Sequence, residues 1–479
     1  MSHQLTRLGL GFAFLALFSG CVLRPQPEVR GAAAVALPSG FSLYSDAEPS
    51  STPWWHSFNS PELDSLVTLA LQSDFTIVQA QARLEQARYT ALKAGAYQFP
   101  EILQTATGDR QKIDRQGSPA VSEDEWSMGL SLSYEIDLWG RVRALKESEK
   151  ENFQASRADL QTAVLGVSCE LTEIWLELIE NRCHEDLFER QLELQRQLLQ
   201  LITLRFPLAR ATALDIYQQR QIVEKLEAAL IPTRKNQFVL RRGLALLAGR
   251  ERLEEALVGA RDFPRIDSLP ALGLPADLLA ARPDVRAAGL RLKSTDWELV
   301  AARAERLPAL RLTSSGRYFA EAPADLFDNW IANLAGSLSA PLLDGGRRRA
   351  EIGRIRALAD ERLAAYRQIV IKAVHEVEDA LVREAEAAAI LASLRRQLEL
   401  SRQTLREARR RYLNGSSDFI NVLNEELTSL QLEHDIISEE KRLLVARVGL
   451  HRALGGAWLQ RVAVGPTVET VGNSSRPAK

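Results

Sequence analysis

Residues 132–144 read LSYEIDLWGRVRA, and residues 338–350 read LSAPLLDGGRRRA. Both stretches begin with Leu-Ser and finish with Gly-Arg-x-Arg-Ala, and they lie 206 residues apart in the chain. A sequence segment that recurs at a fixed offset indicates an internal duplication. The residues around this phrase therefore decide the fold.

The duplication extends far beyond the phrase. Residues 190–199 (RQLELQRQLL) and 396–405 (RQLELSRQTL) are identical at eight of ten positions, at the same offset. Upstream of the phrase the offset becomes 208, so the first copy carries two additional residues there. The sequence predicts two tandem copies, residues 74–249 and 282–455, joined by a connection at 250–281.

Periodicity predicts a β-hairpin near the start of each copy, after a short helix. From Trp126 to Leu138, apolar residues alternate with small or acidic residues. This is the period of a strand with one apolar and one polar face. The segment before it and the matching region of the second copy supply three further strands. We expect two hairpins, at about 101–138 and about 309–341.

After each hairpin the hydrophobic pattern changes to that of a helix. Apolar residues between Leu160 and Leu178 step by three and four, and the same steps recur 206 residues later. Each pattern continues without proline for about 60 residues, or about 90 Å of helix. Such a length is typical of a coiled coil or a helical tube. We expect long helices over about 141–247 and about 346–453.

Matching turns separate the two long helices of each copy. They read RFPLARATALD at 205–215 and RYLNGSSDFIN at 411–421. Pro207 can end the first helix, and Thr212 with Asp215 has the spacing of a capping box for the helix that returns. The expected fold class is mainly α with membrane β, a tandem structural repeat of two β-hairpins and very long antiparallel helices.

The predicted strands also constrain the assembly. A strand with one apolar and one polar face suits a bilayer only inside a closed barrel, where every backbone group is paired. Four strands cannot close a barrel, because the smallest membrane barrels have about eight. The chain must therefore oligomerise, and the strand count allows either two copies with eight strands or three with twelve.

The N-terminus has the features of an export signal. A basic residue, Arg7, precedes an apolar run of about 11 residues, and Ser-Gly and then Cys21 follow. The run is too short to span a bilayer as a helix. The cysteine after Ser-Gly resembles a bacterial lipoprotein processing site. We predict a signal peptide at 1–20 and a segment at 21–73 that is anchored by lipid on Cys21.

Composition excludes several classes of protein. The formal net charge is −2, so there is no basic excess with which to bind nucleic acid. No later stretch reaches 18 consecutive apolar residues, so no transmembrane helix is expected.

Cys169 and Cys183 lie 14 residues apart in one predicted helix, too far for a disulfide, and are expected to be buried thiols. Residues 456–479 are expected to be a C-terminal tail.

Two features resemble chemical sites but favour structural readings. His375, Glu378 and Asp379 share a helix face at metal-binding spacing, yet on a long solvated helix they favour polar surface. Gly345–Arg349 lacks the spacing of a phosphate-binding loop and favours a strand-to-helix bend. No nucleophile motif with a matching base is present. We expect no catalytic residues, no metal and no cofactor apart from the covalent lipid on Cys21.

Several stretches carry a resemblance to a known family. YEIDLWGRVRA, PLLDGGRRRA, ARPDVRAA and RYLNGSSDFINVL resemble the TolC-type outer-membrane efflux channels, in particular the lipoprotein (NodT-like) branch that serves resistance-nodulation-division (RND) pumps. The resemblance implies a homotrimer with a 12-stranded β-barrel and a periplasmic α-helical tunnel. It also implies a periplasmic adaptor protein, an inner-membrane RND pump and a lipid-anchored location in the outer membrane.

The resemblance further implies roles for residues at the two turns. By this likeness, a periplasmic gate would contain Ile420 and Asn424, with Glu425 and Glu426 beside them. Contacts to the adaptor would come from a second set of turn residues, Arg205, Arg411, Tyr412, Leu413 and Gly415.

Three functions from different classes are consistent with the sequence. The first is a passive gated duct that exports small molecules such as drugs, toxic compounds or metal ions. The second is a TolC-type duct for type I protein secretion, which would share the fold. The third is a structural coiled-coil lipoprotein, which leaves the alternation at 126–138 without a purpose.

Overall fold

The computed structural model describes residues 53–113, 121–266, 269 and 281–455. These residues form seven α-helices and four β-strands, in the order α1 Pro61–Ser73, α2 Phe75–Ala96, β1 Glu101–Ile113, β2 Val121–Ile136, α3 Arg141–Arg205, α4 Ala213–Leu247, α5 Pro283–Ala304, β3 Ala309–Ala320, β4 Trp330–Ser339, α6 Arg347–Leu413 and α7 Phe419–Leu454. The predicted fold class is confirmed, because each copy runs from a helix through a hairpin to two long helices.

The chain divides into two compact units. The strand unit consists of the described parts of Leu84–Ser156 and Ala287–Arg367, and it contains all four strands. The helical unit consists of the described parts of Val35–Arg83, Arg157–Arg286 and Gln368–Lys479. It contains both helix turns and most of the length of the long helices.

The four strands of the strand unit form one antiparallel sheet in the order β1-β2-β3-β4. The two predicted hairpins, β1–β2 and β3–β4, are confirmed, and β2 pairs with β3 to join them. In this register Trp126 lies opposite Gly108 on one side and Ala320 on the other. A Cβ at Gly108 would lie 2.8 Å from the Trp126 ring, so glycine is needed for the ring to lie across β1.

The first hairpin is longer than the alternation from Trp126 predicts. Strand β2 begins at Val121, five residues before Trp126, and it ends at Ile136. Opposite charges explain the extension, because Arg110 on β1 donates to both carboxylate oxygens of Asp124 on β2, at 2.7 and 2.9 Å. Pairs of opposite charge on neighbouring strands stabilise a hairpin.

The repeated phrase is a bend from strand to helix, as expected. Gly140 and Gly346 occupy equivalent positions in the two copies, and both have positive φ, at 72° and 83°. An aspartate that precedes each glycine caps the helix that follows, α3 in the first copy and α6 in the second. Asp137 accepts hydrogen bonds from the backbone N–H of Val142 and Arg143, at 3.1 and 2.9 Å. Asp344 caps α6 in the same way, and a carboxylate there also complements the helix dipole.

The long helices α3 and α6 contain 65 and 67 residues, or about 100 Å each at about 1.5 Å per residue. Their return helices, α4 and α7, contain 35 and 36 residues. The capping box of Thr212 and Asp215 is confirmed at the start of α4, with reciprocal hydrogen bonds of 3.2 and 2.9 Å. None of the described helices is sufficiently long and apolar to cross a membrane.

The two described cysteines are both free thiols in α3. Cys169 is buried, as expected, and burial raises the pKa of its thiol to about 11. Cys183 corrects the expectation, since it is only half-buried and its thiol donates to the carbonyl oxygen of Arg261 at 3.1 Å. The predicted lipid attachment site, Cys21, and the tail at 456–479 lie outside the described residues.

Candidate functional site

The sheet of the strand unit has two chemically different faces. Side chains alternate between faces along each strand, and directly paired residues share a face. The register therefore assigns Trp126, Leu130, Tyr318, Trp330 and Leu334 to one face, which we call the apolar face. Leu130, Trp330 and Leu334 are each more than half exposed in the single chain. A surface of this kind requires a cover of lipid or protein.

The opposite, polar face carries mostly small hydroxyl side chains in its middle. Its members there include Thr105, Thr107, Ser127, Ser131, Ser133, Thr313, Ser315 and Ser337. A cavity of about 280 Å³ opens on this face, lined in part by Ser131, Ser133, Thr313 and Asn333. A surface rich in small hydroxyl side chains is suited to lining a water-filled passage.

The two helix turns of the helical unit have the same backbone geometry. Residues with positive φ occupy equivalent positions, Ala209 at 56° and Gly415 at 74°. Just after each of them a backbone N–H reaches back five residues, from Arg210 to Arg205 at 3.1 Å and from Ser416 to Arg411 at 2.9 Å. This is the Schellman motif that commonly ends a helix. The repeat is thus preserved in backbone conformation even where glycine has become alanine.

Packing joins the two turns. Tyr412 is only 8% exposed, and its ring contacts Phe419 with a centre-to-centre distance of 5.3 Å. The guanidinium of Arg205, at the end of α3, lies 5.1 Å from the centre of the Tyr412 ring. Burial, together with the charge of Asp215, raises the pKa of the Tyr412 hydroxyl. Apolar residues from all four long helices surround this contact, including Ile202, Ile222, Tyr412 and Val422.

The residues expected to contact an adaptor separate into two groups. Arg411, Leu413 and Gly415 are exposed at the second turn, and Leu413 is 51% exposed. Tyr412 is buried within the chain, because it packs on Phe419, and it cannot offer its ring to a partner. Arg205 is half-buried over that ring. An open groove of about 870 Å³ lies between the turns and has lining residues from both.

The residues expected at a gate lie on different sides of α7. Ile420 is 42% exposed, and Asn424 is exposed one helical turn later. Glu425 is half-buried. Glu426 is only 5% exposed, which corrects its expected place in an open ring of acids. The physical reason is helical periodicity, since residue 426 falls on the face of α7 that packs against the other long helices.

Glu426 instead belongs to a hydrogen-bonded network that we call the four-helix network, in which Glu426, Gln195 and Gln219 are buried and Arg409 is exposed. Arg409 of α6 donates to Glu426 Oε1 through Nε at 2.9 Å, and Gln195 of α3 donates to Oε2 at 3.0 Å. Gln219 of α4 donates to the side-chain oxygen of Gln195 at 2.7 Å. One residue from each long helix therefore takes part. A buried carboxylate bonded in this way resists separation of the helices.

Sequence reasoning missed the other members of this network. A signal was present, because Gln191 and Gln195 are polar residues four apart on a long helix, and Glu426 and Glu433 are seven apart on another. In the structure Gln191 donates to Glu433 at 2.9 Å. Polar residues at the spacing of a helical seam indicate pairing across that seam.

The described residues contain no group of three or more His, Cys, Asp or Glu side chains that could hold a metal ion. His375 and Asp379 are exposed on α6, and Glu378 is half-buried. The Gly345–Arg349 stretch forms the bend that leads into α6.

Comparisons with known proteins cover nearly the whole chain. A family of outer membrane efflux proteins has a sequence model that matches residues 66–250 and 274–456, one segment for each copy. The pyoverdine export outer membrane protein OpmQ of Pseudomonas aeruginosa is 32% identical over 93% of this chain and 97% of its own length. The outer membrane protein OprJ of the same organism is 29% identical over 94% of this chain and 96% of its length. The solved structure of the outer-membrane channel OprN superimposes with a TM-score of 0.83 at 27% identity, over 92% of this chain and all of OprN.

Proposed function

The chain belongs to the outer membrane efflux protein family and is an outer-membrane efflux channel, and we propose that three copies assemble into one duct. In this assembly each chain contributes four strands to a 12-stranded barrel and its long helices to a periplasmic tunnel. A periplasmic adaptor and an inner-membrane RND pump would complete the system. The family consists of channel proteins and not of enzymes.

The observation that carries the proposal is the two-faced sheet with two open edges. In the described sheet β1 and β4 each pair on one side only. Their free backbone groups cannot remain unpaired in lipid. Pairing of β1 with β4 of a neighbouring chain satisfies both edges and closes a ring by rotation. The apolar face would then contact lipid and the polar face would line the lumen.

The side chains of the polar face favour three copies over two. A barrel of about eight strands is filled by its own side chains, whereas larger barrels leave a lumen. Serine and threonine side chains are too small to fill a barrel interior. A barrel lined by them would contain a water-filled lumen. Three copies are also what the resemblance to TolC-type channels implies, and the likeness to OprN supports the same assembly.

The helix turns would form the periplasmic tip of the duct. We assign the constriction to Ile420 and Asn424, which are exposed on one face of α7. The four-helix network behind them would hold the tip closed, because opening must break the bonds to Glu426. The adaptor would dock on the exposed residues Arg411, Leu413 and Gly415 and on the groove between the turns.

The transported class is small molecules, such as drugs, toxic compounds or metal ions. The name of OpmQ assigns pyoverdine to that protein, which supports small-molecule export over type I protein secretion here. The four-stranded sheet argues against a purely structural lipoprotein, since such a protein has no use for two open edges. A lipid on Cys21 would anchor the mature N-terminus in the outer membrane, most firmly with two or more acyl chains.

Single-channel conductance in a planar bilayer tests the proposal. The wild-type protein is expected to pass a small, flickering current, and Ile420→Gly is expected to pass a larger one. Leu400→Gly is the matched control, since Leu400 is an exposed apolar residue within α6, outside the helix turns. No current from any variant, in samples shown to be folded trimers, would exclude the duct.

A further inference from the structure

Charge on the polar face of the sheet is confined to its ends. The middle carries uncharged side chains such as Ser131 and Thr313. Because β2 leads into α3 and β3 follows α5, residues 125 and 317 lie at the end remote from those helices. We call this the distal end. In a duct of the proposed kind it would be the mouth through which solutes leave.

At the distal end, Arg317 contacts Glu125 and Phe319 and lies opposite a glycine. Its Nη1 donates to Glu125 Oε1 at 3.0 Å. Its guanidinium lies 5.8 Å from the centre of the Phe319 ring. Gly129 lies directly opposite on β2, and a Cβ there would lie only 2.6 Å from the Cβ of Arg317. Glycine at 129 therefore allows β3 to approach β2 closely beside Arg317.

Carboxylates surround this arginine on the same face. Asp109 lies directly opposite Glu125, and Glu123 lies one position further out. Within the described strands, Arg317 is the one cation on the distal half of the polar face. Three carboxylates and one guanidinium leave this end with a negative net charge, which Arg317 reduces.

We propose that Arg317, Glu125 and Phe319 form a charge-selective ring at the distal mouth of the duct. The proposal rests on the proposed trimer, in which each of these residues occurs three times around the lumen. The excess of carboxylate attracts cations, and Arg317 limits that preference. Phe319 narrows the passage at the same level. The favoured solutes are small polar cations and zwitterions, and polyanions are disfavoured.

The apolar face supplies a matched control. Arg110 also forms a cross-strand ion pair at the same end of the same sheet, through two hydrogen bonds to Asp124. The register places this pair on the opposite face from Arg317 and Glu125, because residues 110 and 124 alternate with 109 and 125. Loss of Arg110 therefore changes the charge of the strand end without changing the charge of the lumen.

The reversal potential of single channels in a KCl gradient tests the ring. The Ile420→Gly background keeps the periplasmic tip from limiting the current. Arg317→Gln is expected to raise the ratio of K⁺ to Cl⁻ permeability about twofold, since its charge acts across a few ångströms of screened water. Glu125→Gln is expected to lower the ratio by a similar factor. Arg110→Gln is expected to leave it unchanged, and Phe319→Ala is expected to raise the conductance.

The outcomes separate this inference from the proposed function. Equal permeability ratios in the Arg317→Gln, Glu125→Gln and Arg110→Gln channels would overturn the ring while leaving the duct in place. An absence of current in the Ile420→Gly parent, as a folded trimer, would overturn the duct and the ring together. Heat-resistant trimers on a gel establish that each variant has folded.

Discussion

The guanidinium of Arg205 lies 5.1 Å from the centre of the Tyr412 ring. Arg205 is the last residue of α3, and Tyr412 is the penultimate residue of α6. The contact therefore joins the ends of the two longest helices, which belong to different copies of the repeat. The turns that follow these helices cannot separate without breaking it.

We expect Arg205→Ala to raise the open probability of the channel about two- to fivefold. The physical reason is the loss of a partly exposed cation–π contact, worth about 0.5–1 kcal/mol, from the closed state. Single-channel recordings measure the effect. Arg210→Ala is the control, because Arg210 lies in the same turn and is exposed. An equal rise in both variants would show that charge at the turn matters and the contact with Tyr412 does not.

Glu426→Gln is expected to lower the free energy of unfolding of the helical unit by about 2 kcal/mol. The substitution removes the charged partner of Arg409 in the four-helix network. Combining it with Arg409→Gln in a double-mutant cycle is expected to give a coupling energy of about 1 kcal/mol or more. Thermal unfolding and channel open probability both report this change. Glu425→Gln, at the half-buried neighbour, is expected to shift stability by less than about 0.5 kcal/mol. Additive effects of the two network variants would contradict the assignment.

Ala209→Gly is expected to stabilise the first turn by about 0.5–1 kcal/mol. Alanine at a φ of 56° carries the steric cost of the left-handed region, which glycine does not. The reciprocal change, Gly415→Ala, is expected to destabilise the second turn by about 1 kcal/mol, since the φ of Gly415 is 74°. Melting temperatures of the purified trimers measure both shifts. Shifts of the same sign would contradict the equivalence of the two turns.

His451 is expected to make the helical unit sensitive to acid. Burial, and secondarily the charge of Arg447, lowers the pKa of His451 from its ordinary value to about 4, and its ring stacks on Trp54 at 5.3 Å. A depressed histidine pKa means that the unfolded chain takes up the proton first. Stability is therefore full above about pH 6.5 and falls as the pH drops toward 4, by up to about 3 kcal/mol.

The check is the melting temperature as a function of pH. His451→Gln is expected to flatten the decline between about pH 6.5 and pH 4. The control is His375→Gln, because His375 is exposed on α6, and it is expected to follow the wild type. An unchanged acid response in His451→Gln would assign the sensitivity to other groups.

Cys21→Ala is expected to abolish incorporation of labelled palmitate and to weaken retention in the outer membrane, because the lipid would be attached at that thiol. Cys183→Ala, at a half-buried thiol within α3, is expected to label as the wild type does. Labelling that persists without Cys21 would exclude it as the lipid site.

Local periodicity and the repeat determined most of the fold from the sequence. The alternation after Trp126 predicted a strand, because side chains alternate faces along any extended chain. The spacing of Thr212 and Asp215 predicted a cap, because its hydrogen bonds connect residues three apart. The glycine in the repeated phrase predicted a bend, which the φ of 72° at Gly140 confirms. Each of these signals is carried by neighbours in the chain.

Only the tertiary structure decided which polar residues face one another. Glu425 and Glu426 are adjacent and identical in type, yet Glu426 is bound by Arg409 and Gln195 while Glu425 is half-buried. Arg317 donates a hydrogen bond to Glu125, which lies 192 residues earlier in the sequence. Such pairs depend on the rotation of a helix and on the register between strands. A shift of one residue in either would exchange the two faces, and no local pattern in a single sequence specifies that choice.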